Sequence, residues 1–590
     1  MPRSTRQWAL ATIVAVAALA RASSPSLADV CTVAFATAVL PMLDLYLEDG
    51  TYTGITIDTS SVSVLSNSNY SVNGNVMYPD TNIDYCQVTF AYSHTGADDN
   101  VQVQYWLPAP SAFKNRYLST GGGGLAINSG NMSLPGGVQY GAVTGRTDGG
   151  FGSFDIQYDA VSLLANGTLN YDSLYMFGYK AIHEMTFLGQ LYTKNFYNMS
   201  STKLYSYYQG CSEGGREGWS QVQRFTTFDG AVIGAPAFRY GHQQVNHLVS
   251  SVVEKTQDYY PPPCELERIM NATITACDPL DGQTDGVVSR TDLCILTFDI
   301  DSTLGLPYSC AATPATGLAK RQFPQPATPA QNGTVSAAAI AVAKTILAGL
   351  HDSQGRRAYV SYQPTCTWTD AQTSYNTTTQ TWGPSIDGLG GEWVARWLQL
   401  LNISSITSYD GVTYDTLRNW MFEGWQRYED VLQTTWPDLT PYHSAGGKVL
   451  HYHGESDYSI PTASSVHYWE SVRKIMYPSL SYNASAAALS EWYRLYLVPG
   501  GSHCSPNAYE PNGPWPQTNL AVMIDWVEKG VEPTTLNATH LAGANMGANA
   551  QICPWPLRPL WTAGQMECVY DQTSLDTWMY EFDSFPMPVY

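Results

Sequence analysis

The sequence predicts an α/β fold, a parallel sheet with helices on both faces, into which a second, smaller unit is inserted. Two observations lead there. Short runs rich in β-branched and aromatic residues alternate with longer stretches of helical periodicity, as in strand–helix–strand units. The chain of 590 residues also exceeds what one ordinary core uses, so a large domain with an insertion is expected.

The first element is an export signal. Arg3 and Arg6 give the positive start, Trp8 to Leu19 the apolar run, and Ala20-Arg21-Ala22 or Ser26-Leu27-Ala28 the small-residue cleavage site. The signal peptide is assigned to residues 1–22, with cleavage as late as 28 as the alternative. Its apolar run is shorter than the roughly 20 residues a spanning helix needs, and no later segment qualifies. Arg116-Tyr117-Leu118-Ser119-Thr120 is the first buried strand. Leu174 to Asn195 follows as a helix, then Leu204 to Gln209 and Ala231-Val232-Ile233-Gly234 as strands. From Arg239 to Ser444 the chain turns rich in Pro, Thr, Asn and Cys and offers no comparable strand series, which marks an insertion. Within it, Ala311 to Gly333 is low in complexity and reads as an exposed loop; its Lys320-Arg321 pair is a candidate processing site. The strands resume at Lys448 to His453 and Trp492 to Val498, and Ala521 to Lys529 is helical. The catalytic domain is therefore 29–238 plus 445–590, and the insertion is 239–444.

Composition narrows the function. Hydrophobic residues are 44% and charged residues 13%, a globular balance. The formal net charge of -21 would be repelled by phosphate backbones and acidic lipid, so no nucleic-acid or membrane partner is expected. The 40 Tyr and 17 Trp suit carbohydrate or aromatic ligands, and equally a structural role. Ten sequons agree with export, at Asn69, Asn131, Asn166, Asn198, Asn271, Asn332, Asn376, Asn402, Asn483 and Asn537. So do the 11 cysteines, whose odd number leaves one unpaired.

The chemistry is written at three strand ends. Gly210-Cys211-Ser212-Glu213-Gly214 fits G-x-S-x-G between a strand-like run and a helix-like one holding Trp219, Val222 and Phe225. A serine nucleophile needs a base, and the base an orienting carboxylate, which in this arrangement follow the serine as acid and then histidine. Asp457 stands just beyond Lys448 to His453, and His503 just beyond Trp492 to Val498. Singly these read as a capping aspartate and a loop histidine; together and in order they read as a triad. Cys211 precedes Ser212 and Cys504 follows His503, so a disulfide between them would hold nucleophile and base in one small volume. The oxyanion hole is assigned to the N–H of Glu213 and to the Gly121-Gly122-Gly123-Gly124 turn, represented by Gly121 and Gly122.

A second constellation is a cation loop. Asp278, Asp281 and Asp285 stand in a glycine-punctuated stretch that Cys277 and Cys294 bracket and would close; hard oxygen ligands at this density fit calcium, although the spacing is not that of an EF-hand. The bland alternative is a solvated acidic turn. His183-Glu184 lacks a second histidine at zincin spacing and reads as a buried helix pair.

The chain resembles the tannase and feruloyl esterase family, on its fungal tannase side. The likeness spans essentially the whole mature chain and is most specific at Gly210 to Gly215, Cys277 to Cys294, His451 to Pro461 and His503-Cys504. It implies an α/β-hydrolase fold with a large inserted lid domain, a Ser212–Asp457–His503 triad and a Cys211–Cys504 bond. It also implies structural calcium held by Asp278, Asp281, Asp285 and the carbonyls of Gln283 and Val287. The family's habit pairs Cys31 with Cys86 and Cys553 with Cys568. Of the remaining three cysteines, Cys264 with Cys310 is the preferred bond, since both flank the acidic loop and Cys366 lies beyond the low-complexity segment. The activity implied is that of a secreted serine esterase releasing gallic acid from galloyl ester and depside bonds of plant polyphenol esters. The alternatives are a feruloyl esterase on the same scaffold and, from another class, a catalytically inactive calcium-dependent glycan-binding protein.

Overall fold

The computed structural model describes residues 25–43, 54–314 and 327–590; residues 1–24, with most of the export signal, and Lys320-Arg321 lie outside the described residues. Nine strands form the central sheet: β1 Ile55–Val72, β2 Thr81–His94, β3 Val101–Pro108, β4 Arg116–Thr120, β5 Ala142–Thr147, β6 Tyr205–Cys211, β7 Gly230–Gly234, β8 Lys448–Gly454 and β9 Tyr493–Val498. Their spatial order is β1-β2-β3-β5-β4-β6-β7-β8-β9.

The sheet is mixed, which corrects the all-parallel expectation. β5, β4, β6, β7, β8 and β9 run parallel to their neighbours, whereas β1, β2, β3 and β5 pair antiparallel. The reason lies in the connections: β1, β2 and β3 are joined by loops too short for the crossover that parallel neighbours need. β1 is also Ser- and Asn-rich and largely exposed, the composition of an edge strand, and so carries no apolar run to read.

Strand alternation divides the core. Ala231, Ile233, Val449, Leu495 and Leu497 face one side, where the helices Ala181–Phe196, Glu213–Arg224 and Thr462–Met476 pack through residues such as Met185, Trp219 and Trp469. Val232, Leu450, Tyr452, Tyr496 and Val498 face the other, covered by Leu520, Met523 and Trp526 of the helix Asn519–Lys529. The helix read from Leu174 is broken by a wide turn over Met176–Lys180. There the buried Arg216 guanidinium donates to the carbonyls of Phe177 and Gly178.

Between β7 and β8, the described residues of 235–447 add no strand to the central sheet. They fold into helices such as Tyr240–Asn246, Pro263–Cys277, Ala337–Ala348 and Tyr414–Tyr428, with two small hairpins. The five expected disulfides are formed: Cys31–Cys86, Cys211–Cys504, Cys264–Cys310, Cys277–Cys294 and Cys553–Cys568. Cys366 is free and buried. Among the described residues no helix is long and apolar enough to cross a membrane. Every sequon asparagine lies at the surface, Asn271 half-buried and the others exposed.

Candidate active site

Ser212 sits where β6 turns into the helix Glu213–Arg224, with φ 65° and ψ -124°. A serine held at positive φ is strained, and the flanking glycines make the turn sterically possible. A Cβ on Gly214 would meet the Gly122 carbonyl oxygen at 2.9 Å, and one on Gly215 the Gly234 carbonyl oxygen at 2.4 Å. The turn lifts the hydroxyl clear of the sheet toward the ends of β8 and β9.

Those ends carry the other two groups. Ser212 Oγ lies 2.9 Å from His503 Nε2, and His503 Nδ1 lies 2.8 Å from Asp457 Oδ2. The remaining oxygen of Asp457, Oδ1, accepts the N–H groups of Ser459 and Ile460 at 2.8 and 2.9 Å. Asp457 is fully buried, which by itself raises a carboxyl pKa; the His503 charge and the hydrogen bonds from His453 and His503 outweigh burial and hold it well below the ordinary range. Gly454 lets the two loops meet, since a Cβ there would strike the carbonyl oxygens of Gly501 and Ser502. The Cys211–Cys504 bond sets its α-carbons 6.1 Å apart and fastens the nucleophile's strand to the base's loop.

The oxyanion assignment needs a correction at Gly122. Its N–H donates to the buried Glu217 Oε2 at 2.8 Å and its carbonyl accepts from Gly214, so it has no donor left for a substrate. Gly121 is packed under Tyr208 and Glu217. Gly124 is the member of the run that lines the cleft with Ser212 and Glu213. Glu213 opens its helix, where amide N–H groups lack helical acceptors. Its buried side chain pairs with Arg216.

Sequence reasoning did not find the rest of the cleft wall. Ala237, Gln243, Gln244, His247, Leu389 and Ile460 line it. His247 Nδ1 lies 2.9 Å from Asp370 Oδ2; burial opposes its charge, but Asp370 overrides this and pushes its pKa up to about 9. No motif announces Gln243, Gln244, His247 and Leu389, because they come from the inserted segment. His453 was missed too, although it was legible: His451 and His453 are two apart on a strand and must share a face.

The acidic loop is turned partly on itself. Asp278 accepts the N–H groups of Asp285 and Gly286 at 3.0 Å each, Asp281 that of Gln283, and Asp285 that of Val287. Burial, and then the charges of Asp278 and Asp281, push the Asp285 carboxyl up to about 6. Buried Asp278 and Asp281 and half-buried Asp285, mutually repelling carboxylates, are a donor set that fits a hard divalent cation. Among the described residues, the ligand atoms that lie within 4.8 Å of one another are those of His247, Asp370 and Asp387; the three loop carboxylates are not drawn together that closely in this structure. The loop also docks on the catalytic domain. Asn512 Nδ2 donates to the Asp285 carbonyl, and the Val288 N–H donates to Glu510.

His183 and Glu184 lie on the helix Ala181–Phe196, where buried Glu184 accepts from Tyr92 at 2.7 Å and meets His94 Nε2 at 2.9 Å.

The pattern of the "Tannase and feruloyl esterase" family matches residues 86–575. The chain is 51% identical to the tannase of Aspergillus oryzae, over 98% of this chain and 99% of that one. It is 30% identical to a probable feruloyl esterase of Arthroderma benhamiae, over 84% and 87% of the two chains. The structure of a tannin acyl hydrolase from Aspergillus niger superposes with a TM-score of 0.92 at 60% identity, covering 96% of this chain and all of that one. This chain belongs to the tannase and feruloyl esterase family.

Proposed function

We propose that this protein is a secreted tannase, a carboxylic ester hydrolase that cleaves galloyl ester and depside bonds of hydrolysable tannins and releases gallic acid. The observation that carries the chemistry is the continuous contact from Ser212 Oγ through His503 to Asp457. Ser212 attacks the ester carbonyl while His503 takes its proton, and Asp457 holds the imidazolium so formed. The Glu213 N–H and the glycine turn at Gly124 stabilise the oxyanion. His503 then protonates the departing alcohol or phenol, and water cleaves the acyl-enzyme through the same base.

The galloyl preference is supported by the identity to the A. oryzae tannase and by the polar cleft wall. Gln244 offers its amide beside Ser212 to a ring bearing three hydroxyls, and Gln243 and His247, held by Ser459 and Asp370, make the same wall polar. A site built to bind hydroxyls rejects an analogue lacking them, because its own polar groups are then left unpaired. The test compares methyl gallate with methyl ferulate. A kcat/KM for gallate at least about 10²-fold higher is expected; parity, or preference for ferulate, replaces this reading with feruloyl esterase.

Calcium belongs to the same proposal. Asp278, Asp281 and Asp285, with the carbonyls of Gln283 and Val287, would hold it, and the Cys277–Cys294 bond closes the segment. When bound it supplies charge neutralisation to the loop, and none of its proposed ligands is a residue of the triad. Glycosylation at the surface sequons and export agree with the five disulfides.

A further inference from the structure

His503 is not the only imidazole on Asp457. His453 Nε2 lies 3.1 Å from Asp457 Oδ2 and 3.0 Å from the Ile460 carbonyl oxygen. Both are acceptors, so Nε2 carries a proton. Behind it the contacts continue into the core: His453 Nδ1 to Ser465 Oγ at 2.7 Å, Ser465 Oγ to His451 Nε2 at 2.9 Å, and His451 Nδ1 to Tyr493 Oη at 2.9 Å. All five residues are fully buried.

Two proton arrangements satisfy the inner links, and burial chooses between them. Were His453 cationic, every inner link would reverse, and His451 Nδ1–H would donate to the Tyr493 oxygen. The phenol proton would then lose the acceptor it has in His451, in a place water does not reach, at a cost of about 1–3 kcal/mol. In the other direction each proton has an acceptor: Tyr493 O–H to His451, His451 Nε2–H to Ser465, Ser465 O–H to His453, His453 Nε2–H to Asp457. Burial holds the His451 pKa well below the usual histidine range, in keeping with the neutral ring this needs.

We propose that Tyr493, His451, Ser465 and His453 form a directed hydrogen-bond wire that ends on Asp457, with His453 the positioning residue that fixes the carboxylate opposite His503. Aligned donors polarise one another, so the last link is stronger than an isolated imidazole contact. The wire keeps Asp457 ionised in acid and denies Oδ2 any rotation away from His503. This rests on the triad reading above.

The other ionisable groups around Asp457 are His503 in contact and His247, Asp370, Cys366 and Tyr458 at longer range. Arg239 acts on Tyr493 at the far end. None of these longer-range groups is a link of the wire, so cutting it isolates its effect.

The test uses Ser465→Ala, which cuts the wire at its centre, and Tyr493→Phe, which removes its first donor; neither residue touches Ser212, His503 or Asp457. With the last link weakened, Asp457 accepts protons more readily and holds the imidazolium more tightly. The acid limb of kcat/KM should therefore move to higher pH, a loss of about three- to tenfold two pH units below the plateau, with KM unchanged. Ser465→Thr keeps the hydroxyl and should restore the parent profile. If Ser465→Ala does not fold, Tyr493→Phe, the loss of one oxygen atom, decides alone. An acid limb that stays in place in folded variants overturns the wire. Asp457→Asn separates the two claims: full activity there sinks the triad, whereas its loss beside unchanged profiles in the other variants sinks only the wire.

Discussion

The α-carbons of Cys211 and Cys504 lie 6.1 Å apart although 293 positions separate them in sequence, and each cysteine is the chain neighbour of a triad residue. The bond therefore ties the serine turn to the histidine loop at the point where their side chains meet. Replacing both cysteines with Ala should lower kcat by about 10²-fold, the cost of an ångström-scale misplacement of reacting groups. Folding should suffer less than turnover. Kinetics beside thermal melting of the double variant check this, and a variant with parent kcat would show that the bond positions nothing.

Ser212→Ala should reduce turnover by about 10⁴–10⁶-fold while leaving the fold intact. The change removes one oxygen from a residue that packs no core. Residual activity near the parent level in a folded variant, measured on methyl gallate, would remove Ser212 from the mechanism.

Calcium should raise the melting temperature, since a ligand of the native state stabilises it by mass action. Chelation should reverse this, and it should also lower kcat. Glu510 takes the Val288 N–H beside the acidic loop and contacts Ser456 Oγ next to Asp457 at 2.5 Å. Asn512 anchors the same loop through the Asp285 carbonyl. Elemental analysis of the purified protein, with back-titration of calcium after chelation, measures both effects; protein free of calcium whose melting ignores added calcium would refute the site.

Glu510 gives a pH prediction. Burial is the largest influence on its carboxyl and pushes it from 4.5 up to about 7, against the hydrogen bonds from Ser456, Val288 and Asn507. A folded-state pKa above the unfolded one means stability fully present below the ordinary value and lost as pH rises through the folded value. Glu510 should therefore contribute a decline on the order of 3 kcal/mol between about pH 4.5 and 7. Glu510→Gln, neutral throughout, should flatten that part of the profile in denaturant titrations run across the window; an unchanged slope would assign the decline to other groups.

Cleavage after Arg321 should leave a single species on a non-reducing gel and two on a reducing gel. Cys211–Cys504 is the disulfide whose partners lie on opposite sides of that point. One reduced band means an uncut chain, and two bands without reductant mean that this bond is missing.

The sequence by itself determined the parallel half of the sheet, the three strand ends that carry Ser212, Asp457 and His503, and the cysteines that would join two of them. These were legible because strand propensity, turn chemistry and motif spacing are local, and each leaves its mark within ten or so residues. Tertiary structure alone decided the rest. Of the antiparallel N-terminal strands, β1 was hidden because an edge strand exposed on most of its length needs no apolar pattern. Gly122 looked like an oxyanion donor until Glu217, 95 residues away, was found to occupy its N–H. Gln243, Gln244 and His247 reach the cleft only because the insertion folds back over β6 to β8. The wire lies between these cases: alternation along β8 puts His451 and His453 on one face, but only packing against Ser465 and Tyr493 gives its protons a direction.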